Sequence, residues 1–289
     1  MSISVAGTGV WNSALRYGDA GEVAEVVAEL EALGYSAVWV GDIGGDLFGS
    51  VAALLAATKN VVVATGIANI WLRTPEETAR QHAKLSAEHG RRFLLGLGVS
   101  HAHLVERVAG ERYERPLARM RAFLDGLDAA DVPVPVDERV LAALGPKALT
   151  LAGERTAGTH PYLTTPEHTA TARAALGDGA IVAPEQGLIL ETDPGKARAI
   201  AREFLSRYIV APNYTNNWRR LGFGDDDLAD GGSDRLVDAL IAWGDEEALA
   251  ARVRAHRDAG ASHVCVQVLT DQSPAFPREE WRRLAPVLT

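Results

Sequence analysis

The stretch Asp19–Val40, DAGEVAEVVAELEALGYSAVWV, indicates the fold class of this chain. Apolar residues from Val23 to Leu30 recur at helical spacing, and Gly34 is a typical helix stop. The run Ala37–Val40 is continuously apolar, as expected for a strand that is buried on both faces. An amphipathic helix that leads into such a strand is the repeating unit of a parallel α/β sheet.

The same alternation of short β-branched runs and amphipathic stretches recurs along the whole chain. We predict strands at residues 3–10, 36–40, 61–67, 93–98, 139–144, 158–163, 180–190 and 263–269. The predicted helices cover residues 19–33, 51–57, 75–89, 112–127, 146–155, 166–176, 194–208 and 246–259, and the last of these is expected to be the final helix. Eight βα units predict an α/β fold of the (β/α)8 TIM-barrel type, formed by residues 1–289 as a single domain. An open doubly wound sheet is the alternative, but the Gly-x-Gly-x-x-Gly of that fold is absent after the first strand.

The composition excludes several classes of function. With 29 Lys and Arg against 38 Asp and Glu, the formal net charge of -9 argues against binding to a nucleic-acid backbone. Cys265 is the only cysteine, so an internal disulfide and a cysteine-based zinc site are both excluded. The first residues carry no basic segment and no long apolar run, and no stretch of about 18 residues elsewhere is uninterruptedly apolar. We therefore expect a soluble cytoplasmic protein with no membrane partner.

In a barrel of this type, functional residues lie on the loops that follow the carboxyl ends of the strands. This rule selects Trp11, Asp42, residues 68–73, residues 98–103, residues 145–147, residues 160–162, Glu185, Gln186 and residues 267–271.

Gly145-Pro146 is a candidate phosphate site. A flexible residue followed by a proline at the start of a helix leaves backbone N–H groups, and the positive end of the helix dipole, directed at the barrel mouth. An ordinary βα turn has the same sequence features. Gly98 likewise allows a ligand close to the backbone, although strand packing explains it equally well.

Histidines and carboxylates at the strand ends offer further candidates. His101 and His103 alternate in a segment expected to be extended, and could form a metal pair if more ligands joined them; we expect no metal site. Without a metal, His101 is a hydrogen-bond donor or a proton shuttle. Asp42 follows a buried strand, where a carboxylate is either functional or caps the next helix. His82, on a predicted helix, is expected to face water.

Three aromatic residues fall at predicted strand ends. Trp11, Trp71 and Tyr162 could wall a planar aromatic substrate or ligand. Packing at the barrel mouth, or a subunit interface, would use the same residues.

Three strings together resemble the bacterial luciferase-like flavin and deazaflavin oxidoreductases. They are Gly66–Pro75, GIANIWLRTP, then Leu94–Gly98, LLGLG, and the Ala259-Gly260-Ala261 that precedes the last strand. Leu33-Gly34-Tyr35 and Ala143–Lys147, ALGPK, extend the similarity over nearly the whole chain. The pattern is most similar to the actinobacterial branch that uses coenzyme F420, a deazaflavin with a phosphate-bearing acidic tail.

The resemblance implies a set of cofactor-binding residues. It implies a cis peptide at Gly66-Ile67 that forms a bulge beneath the deazaflavin ring, with Ala68 and Asn69 directly after it. It also implies ring and ribityl contacts from Gly98, Val99, Ser100 and His101, and a ring-side contact from Asp42. Gly145, Pro146 and Gly158 match the phosphate-holding region, and His160 follows it on the same strand end.

The chain also departs from the family pattern. Members that oxidise alcohols carry an Asp-His pair after strand two, but here Ile43 follows Asp42. They carry an acidic residue where this chain has His101, which suggests different protonation chemistry. The resemblance thus implies an F420-dependent oxidoreductase, acting as a homodimer on a small organic substrate, with His101 and Asp42 as catalytic candidates. An FMN-dependent monooxygenase and a non-catalytic flavin-binding barrel are the alternatives.

Overall fold

The computed structural model describes residue 3, residues 5–271 and residues 275–289, and only the backbone of residue 103. Eleven strands form one sheet in this part of the chain. They are β1 (Gly7–Trp11), β2 (Ala37–Val40), β3 (Val62–Thr65), β4 (Ala68–Asn69), β5 (Phe93–Gly98), β6 (Arg139–Leu141), β7 (Gly158–Thr159), β8 (Ile181–Val182), β9 (Glu185–Ile189), β10 (Ile241–Trp243) and β11 (His263–Val268).

Fourteen α-helices are present in the described residues. They are α1 (Ala14–Tyr17), α2 (Ala20–Ala32), α3 (Leu47–Ala56), α4 (Pro75–His89), α5 (Ala102–Val108), α6 (Pro116–Ala129), α7 (Pro146–Arg155), α8 (Pro166–Leu176), α9 (Pro194–Leu205), α10 (Pro212–Arg220), α11 (Asp225–Leu228), α12 (Asp234–Leu240), α13 (Glu246–Asp258) and α14 (Arg278–Leu288). Single 3-10 turns lie at Val136–Glu138 and Ala229–Gly231.

The strands form a parallel sheet that curls into a barrel. The order is β10-β9-β11-β1-β2-β3-β5-β6-β7-β8, and β4 pairs with β5. Residues 183 and 184 join β8 to β9 within the ladder: the N–H of Ala183 donates to the carbonyl of Thr159, and the carbonyl of Pro184 accepts from the N–H of Cys265, both at 2.9 Å. Residues 181–189 therefore act as one strand that links β7 to β11. The predicted TIM-barrel class is confirmed.

Apolar side chains fill the barrel on both sides of the sheet. Trp39, Leu94, Val140 and Cys265 belong to the cluster inside the barrel, and all are buried. A larger cluster packs the outer face of the sheet against the helices. β2 is buried at every position, as its apolar run predicts. The interior of the barrel is thus a packed core.

Local sequence signals set the helix boundaries near the site. α4 begins where Pro75 occupies the first turn and the hydroxyl of Thr74 accepts the N–H of Glu77. In α2 the carboxylate of Asp19 accepts the N–H groups of Gly21 and Glu22. Both helices match their predicted spans to within one residue.

Five predicted strands are shortened by more than one residue or interrupted. The first, predicted at 3–10, begins only at Gly7 and ends at Trp11, and residue 4 lies outside the described residues. The strand predicted at 61–67 ends at Thr65, where the chain bends before β4. The strand predicted at 158–163 pairs only at Gly158–Thr159, since Pro161 has no N–H to continue the ladder. The strands predicted at 139–144 and 180–190 are likewise reduced to β6 and to β8 with β9.

Several predictions about secondary structure were wrong. The helix predicted at 51–57 begins four residues earlier, at Leu47. The helix predicted at 112–127 begins at Pro116, and the separate helix α5 precedes it. Residues 246–259 do not form the final helix, because α14 follows β11 and packs in the outer helix layer beside α13 and α2, where Arg283 pairs with Glu246 and Arg278 with Glu29. The strand β10 lies between the predicted helices at 194–208 and 246–259, where no strand was predicted. In the described residues, no helix is long and apolar enough to cross a bilayer.

Several histidines are buried inside this framework. His82, expected to face water, is 2% exposed and packs against Phe93. Inside the barrel, Nε2 of His263 accepts the indole N–H of Trp39 at 3.1 Å, while burial lowers the pKa of His263 to about 3. Burial likewise lowers the pKa of His82 and of His160 to about 4, and that of His256 to about 3. These imidazoles are neutral in the folded protein.

Acid is expected to destabilise the fold through these histidines. Their folded pKa values lie below the ordinary 6.5, so the unfolded chain binds protons first as the pH falls. Each such histidine then lowers the free energy of unfolding by up to about 1.4 kcal/mol per pH unit below pH 6.5. Urea unfolding of the wild type and of His263→Gln at pH 7.5, 6 and 5 measures this. In the H263Q variant, the free energy of unfolding should depend less steeply on pH. The control variant His89→Gln, on α4, should show the same pH dependence as the wild type. Equal slopes for all three proteins would contradict the assignment.

Candidate functional site

A cavity of about 1060 Å³ opens at the carboxyl ends of the barrel strands. Its walls come from the loops after β1, β2, β5 and β11, and from the segment that contains α9 and α10. Nine of the residues proposed from the sequence line it: Trp11, Asp42, Ile67, Gly98, Val99, Ser100, His101, His160 and Tyr162. The position of the cavity agrees with the rule for barrels of this type.

The bulge after β3 forms one side of the cavity. The Gly66-Ile67 peptide is cis, as the resemblance implies. The indole N–H of Trp11 donates to the carbonyl of Gly66 at 2.8 Å, which holds this peptide from the first strand. A Cβ on Gly98 would lie 2.4 Å from Cγ1 of Ile67, so only glycine leaves room for that side chain. Ala68 and Asn69 are buried behind the bulge and do not line the cavity.

Asp42 fixes the loops around the bulge. One carboxylate oxygen accepts from Arg16 at 2.7 Å and from the N–H of Gly44 at 3.3 Å. The other accepts the N–H of Asn69 at 3.0 Å and a guanidinium N–H of Arg73. Burial raises the pKa of Asp42, but these partners outweigh it and hold the pKa below its ordinary value. Asp42 is therefore an ionised anchor. It does not cap α3, whose cap is Asp46.

His160 lies at the floor of the cavity, inside the barrel. Its ring stacks on Trp39 with centroids 4.0 Å apart, and Nδ1 lies 2.7 Å from the carbonyl oxygen of Ala183. Because a carbonyl only accepts, Nδ1 carries the proton and Nε2 is left as an acceptor directed toward Gly66, where a Cβ would approach it to 2.7 Å. His160 thus supports the bulge from below and is held in one orientation.

The predicted aromatic wall is only partly assembled. The rings of Trp11 and Tyr162 meet with centroids 5.6 Å apart, and both line the cavity. Trp71 does not. Its indole N–H donates to the carbonyl of Val99 at 2.9 Å, and its ring is buried beneath the guanidinium of Arg119. Trp71 was placed at the cavity because a strand end was expected there, but the bulge turns its side chain outward.

His101 closes the cavity from the side of α5. Its Nδ1 lies 3.3 Å from Oδ1 of Asn213, and its ring contacts Tyr214 at 5.3 Å between centroids. His101 precedes α5 and His103 is inside that helix, so the two do not alternate along an extended segment as the metal-pair hypothesis requires. The side chain of His103 lies outside the described part of the structure. Among the described side chains, no group of three or more His, Cys, Asp or Glu could hold a metal ion.

The opposite wall carries a tyrosine cluster, of which the strand-end rule found Tyr162 but not Tyr208 and Tyr214. The hydroxyl of Tyr162 donates to Oε1 of Gln267 at 2.7 Å and lies 3.2 Å from the hydroxyl of Tyr208. Tyr214 completes the cluster, with its centroid 5.3 Å from that of Tyr208. Tyr208 and Tyr214 come from the segment around α9 and α10, where the only sequence signal is aromatic residues within a polar stretch. This wall places phenol and amide groups in the cavity.

Glu185 lies inside the barrel beneath this cluster. One carboxyl oxygen accepts the N–H of Leu163 at 3.1 Å, and the other is buried without a hydrogen-bond partner. Burial raises the pKa of Glu185 to about 8. The ionisable groups that it influences are Tyr162, Tyr208, Tyr214 and Cys265, all kept neutral by burial. At neutral pH Glu185 is a carboxylic acid.

The proposed phosphate region does not lie in the cavity itself. Gly145 and Pro146 form the start of α7 beside Leu144, which lines the cavity. Gly158 pairs within the sheet, and a Cβ there would lie 1.9 Å from the carbonyl oxygen of Ile181. Gly158 is thus required by strand packing, and its assignment as a cofactor contact has no support from its position.

The double salt bridge predicts the effect of removing its charge. In Asp42→Asn, the guanidinium groups of Arg16 and Arg73, both at least nine-tenths buried, lose their carboxylate. We expect the free energy of unfolding to fall by about 3 kcal/mol, the usual cost of breaking a buried pair on one side. In the control, Asp46→Asn, asparagine still caps α3, and the change should stay below about 0.5 kcal/mol. Denaturant unfolding of both variants measures this, and equal losses would refute the anchoring role.

The raised pKa of Glu185 predicts a pH dependence of opposite sign to that of the histidines. The folded state holds a proton that the unfolded chain releases above its ordinary pKa of 4.5, so the stabilising contribution is lost as the pH rises toward 8. Relative to Glu185→Gln, the wild type should lose up to about 1.4 kcal/mol per pH unit between pH 5 and 8. Unfolding at each pH measures this, with Glu106→Gln on the surface as the control. A pH-independent difference would show that Glu185 is not protonated.

Comparison with known proteins identifies the fold and its relatives. Residues 2–130 match the family model of luciferase-like monooxygenases. A Mycobacterium tuberculosis protein assigned as a coenzyme F420-dependent oxidoreductase is 35% identical over 139 residues. That alignment covers 47% of this chain and 38% of the relative, so the chain matches less than half of the relative's length.

Solved structures extend the likeness over the whole chain. The coenzyme F420-dependent tetrahydromethanopterin reductase from Methanopyrus kandleri superposes with a TM-score of 0.76 at 18% identity, covering 99% of this chain and 100% of that one. The FMN-bound oxygenating component of a Pseudomonas putida diketocamphane monooxygenase gives 0.70 at 14% identity, covering 99% of each. At these identities the likeness concerns the fold. The resemblance to bacterial luciferase-like oxidoreductases is confirmed: the sequence pattern of that family occupies residues 2–130, and the luciferase-like barrel extends over the chain.

Proposed function

We propose that this protein is an F420-dependent oxidoreductase that transfers hydride between the deazaflavin and a small organic substrate. The observation that carries the proposal is the bulge at Gly66-Ile67, which borders the cavity and is held by Trp11 and Asp42 together. Ile67 and Gly98 form a flat apolar surface against which the planar three-ring deazaflavin fits. The F420-dependent relatives support this choice of cofactor.

The residues of this chain divide into three roles in the proposal. Ile67, Gly98, Val99, Ser100 and His160 surround the ring, while Gly66, Ala68 and Asn69 hold the bulge from behind. The backbone of Gly145, with Pro146 fixing the start of α7, receives the phosphate. Trp11 and Tyr162 border the substrate. The deazaflavin supplies the hydride chemistry when it is bound.

His101 is the proposed proton carrier. It is the histidine at the mouth of the cavity, only partly buried, and it contacts Asn213 and Tyr214 from α10. An imidazole in this position can exchange a proton with a substrate oxygen and with solvent near neutral pH. Asp42 remains in the site as a positioning residue, since both of its oxygens are occupied by structural partners.

Two alternatives retain the same fold. The FMN-bound neighbour favours an FMN-dependent monooxygenase as the second candidate, and a flavin-binding barrel without turnover is the third. We further propose that residues 1–289 act as one domain, in a cytoplasmic homodimer.

Cofactor titration distinguishes these functions. We expect the purified protein to bind F420 with a dissociation constant in the micromolar range or below, and FMN at least tenfold more weakly, by quenching of cofactor fluorescence. His101→Asn should lower turnover and alter the pH profile of kcat, with a smaller effect on the affinity for F420. Tight binding of FMN without measurable binding of F420 would reverse the assignment. Binding of reduced F420 that is never oxidised across a broad substrate panel would favour the non-catalytic barrel.

A further inference from the structure

Gln267 projects from the last barrel strand, β11, into the mouth of the barrel. Side chains alternate along β11, and those of His263 and Cys265 lie inside the barrel, where His263 contacts Trp39 and Cys265 belongs to the inner cluster. Gln267 therefore points to the same side, closer to the mouth. It is 9% exposed and lines the cavity. A nearly buried polar side chain thus lies at the boundary between the core and the cavity.

The hydrogen bonds of Gln267 leave one donor without a partner. Its Oε1 accepts the hydroxyl of Tyr162 at 2.7 Å, which orients the amide. In the described part of the chain, Nε2 of the same amide has no hydrogen-bond partner, and it remains open to the cavity. A nearly buried amide N–H needs an acceptor, and a ligand in the cavity can provide one.

The two phenols beside Gln267 do not compete for this role. Tyr162 and Tyr208 have one hydroxyl proton each, and burial raises the pKa of both phenols, so both are neutral at physiological pH. Because Tyr162 donates its proton to Gln267, the 3.2 Å contact between the two hydroxyls requires Tyr208 to donate to Tyr162. Both phenol protons are thereby used within the wall. The donor that this row of three side chains leaves for a ligand is Nε2 of Gln267.

Aromatic rings surround this donor. The centroids of Trp11 and Tyr162 are 5.6 Å apart. Tyr208 contacts Phe204 at 5.1 Å and Tyr214 at 5.3 Å between centroids. All five rings line the cavity. A wall of this kind favours an aromatic ligand, because its ring can stack on the ring faces or meet their edges.

The charge of the donor selects the kind of acceptor. An amide is neutral, so it suits the oxygen of a carbonyl group, whereas a carboxylate is bound more strongly by a cation. The arginines that line the cavity, Arg107 and Arg207, are both exposed. The nearly buried wall around Gln267 therefore favours a neutral acceptor.

We propose that Gln267 binds the oxygen of an aromatic ketone or aldehyde through Nε2, and that Tyr162 and Tyr208 hold the amide in the required orientation. A carbonyl oxygen accepts without donating, which matches a wall that offers one donor. The inference rests on the proposed function, for which it names the substrate class. A carbonyl compound becomes an alcohol when its carbon gains a hydride and its oxygen a proton, so this class suits hydride transfer from a reduced deazaflavin.

A matched set of probes, titrated into the purified protein and followed by protein fluorescence, tests the proposal. In 2-isopropenylnaphthalene a CH2 group replaces the carbonyl oxygen of 2-acetylnaphthalene, and the shape is the same. The wild type should bind the ketone about fivefold more tightly than the alkene, as expected for one neutral hydrogen bond. It should also bind the ketone more tightly than 2-naphthoate, which carries a carboxylate.

Two variants address the amide and its orientation. In Gln267→Met, which keeps the length of the side chain but has no N–H, the preference for the ketone should be lost while the alkene binds within about twofold of the wild type. Tyr162→Phe removes the hydroxyl that orients the amide and should weaken the preference. It also decides the question if Q267M does not fold. Gln81→Met, the same substitution on α4 outside the cavity, is the control and should behave like the wild type.

Several results would overturn the inference. They are a wild type that binds ketone and alkene equally or binds neither, and a ketone preference that persists in both Q267M and Y162F. An equal loss for both probes in Q267M would indicate a structural role, and tighter binding of 2-naphthoate would show that the wall selects an anion. These titrations need no F420. Absence of F420 binding would therefore refute the proposed function, while the probes still decide the carbonyl site.

Discussion

The carboxylate of Asp42 is the interaction on which the mouth of the barrel depends. It joins Arg16 after the first strand, Arg73 after the third, and the backbone of β4 at Asn69. A buried carboxylate is stable only where its partners are oriented by their own structure, and here they come from the segments that follow β1 and β3. The bulge at Gly66-Ile67 is thereby fixed between Asp42 on one side and Trp11 on the other. The cavity owes its shape to this arrangement.

Below the mouth, the barrel interior combines apolar packing with neutral polar groups. His160, His263 and Glu185 are buried in forms without charge, which avoids the cost of unpaired ions in the core. His160 lies against the bulge, and Glu185 lies beneath the tyrosine cluster. Rigid support under the cavity is what a site needs if it is to hold a planar ring against a substrate.

The sequence predicts the barrel well because each βα unit carries its own local signals. Thr74 and Pro75 locate α4, and the apolar run at Ala37–Val40 locates an interior strand. β7 and β10 are harder, since strands of two or three residues are stabilised by ladder partners far away in the chain. The helix α14 completes the eighth βα unit and was missed although Trp281, Leu284 and Leu288 recur at helical spacing, because Pro286 interrupts the helical pattern.

The residues of the site likewise divide into those that the sequence predicts and those that it does not. Trp11, Asp42, His101 and Tyr162 were found because they directly follow strands, and all four line the cavity. The rule fails for Trp71 because the bulge reverses the direction of the side chain. It also fails for the residues of α10, since a segment that folds over the mouth from elsewhere carries no strand-end signal. Asp42 was correctly placed, but whether it carries protons or anchors loops depends on Arg16 and Arg73, and a sequence does not show that pairing.

A crystal structure of the protein with F420 tests the central claim most directly. The account predicts that the deazaflavin ring stacks against the Gly66-Ile67 bulge beside Gly98, with the phosphate at the start of α7. A ring bound elsewhere in the cavity, or a bulge that the ring does not touch, would contradict it.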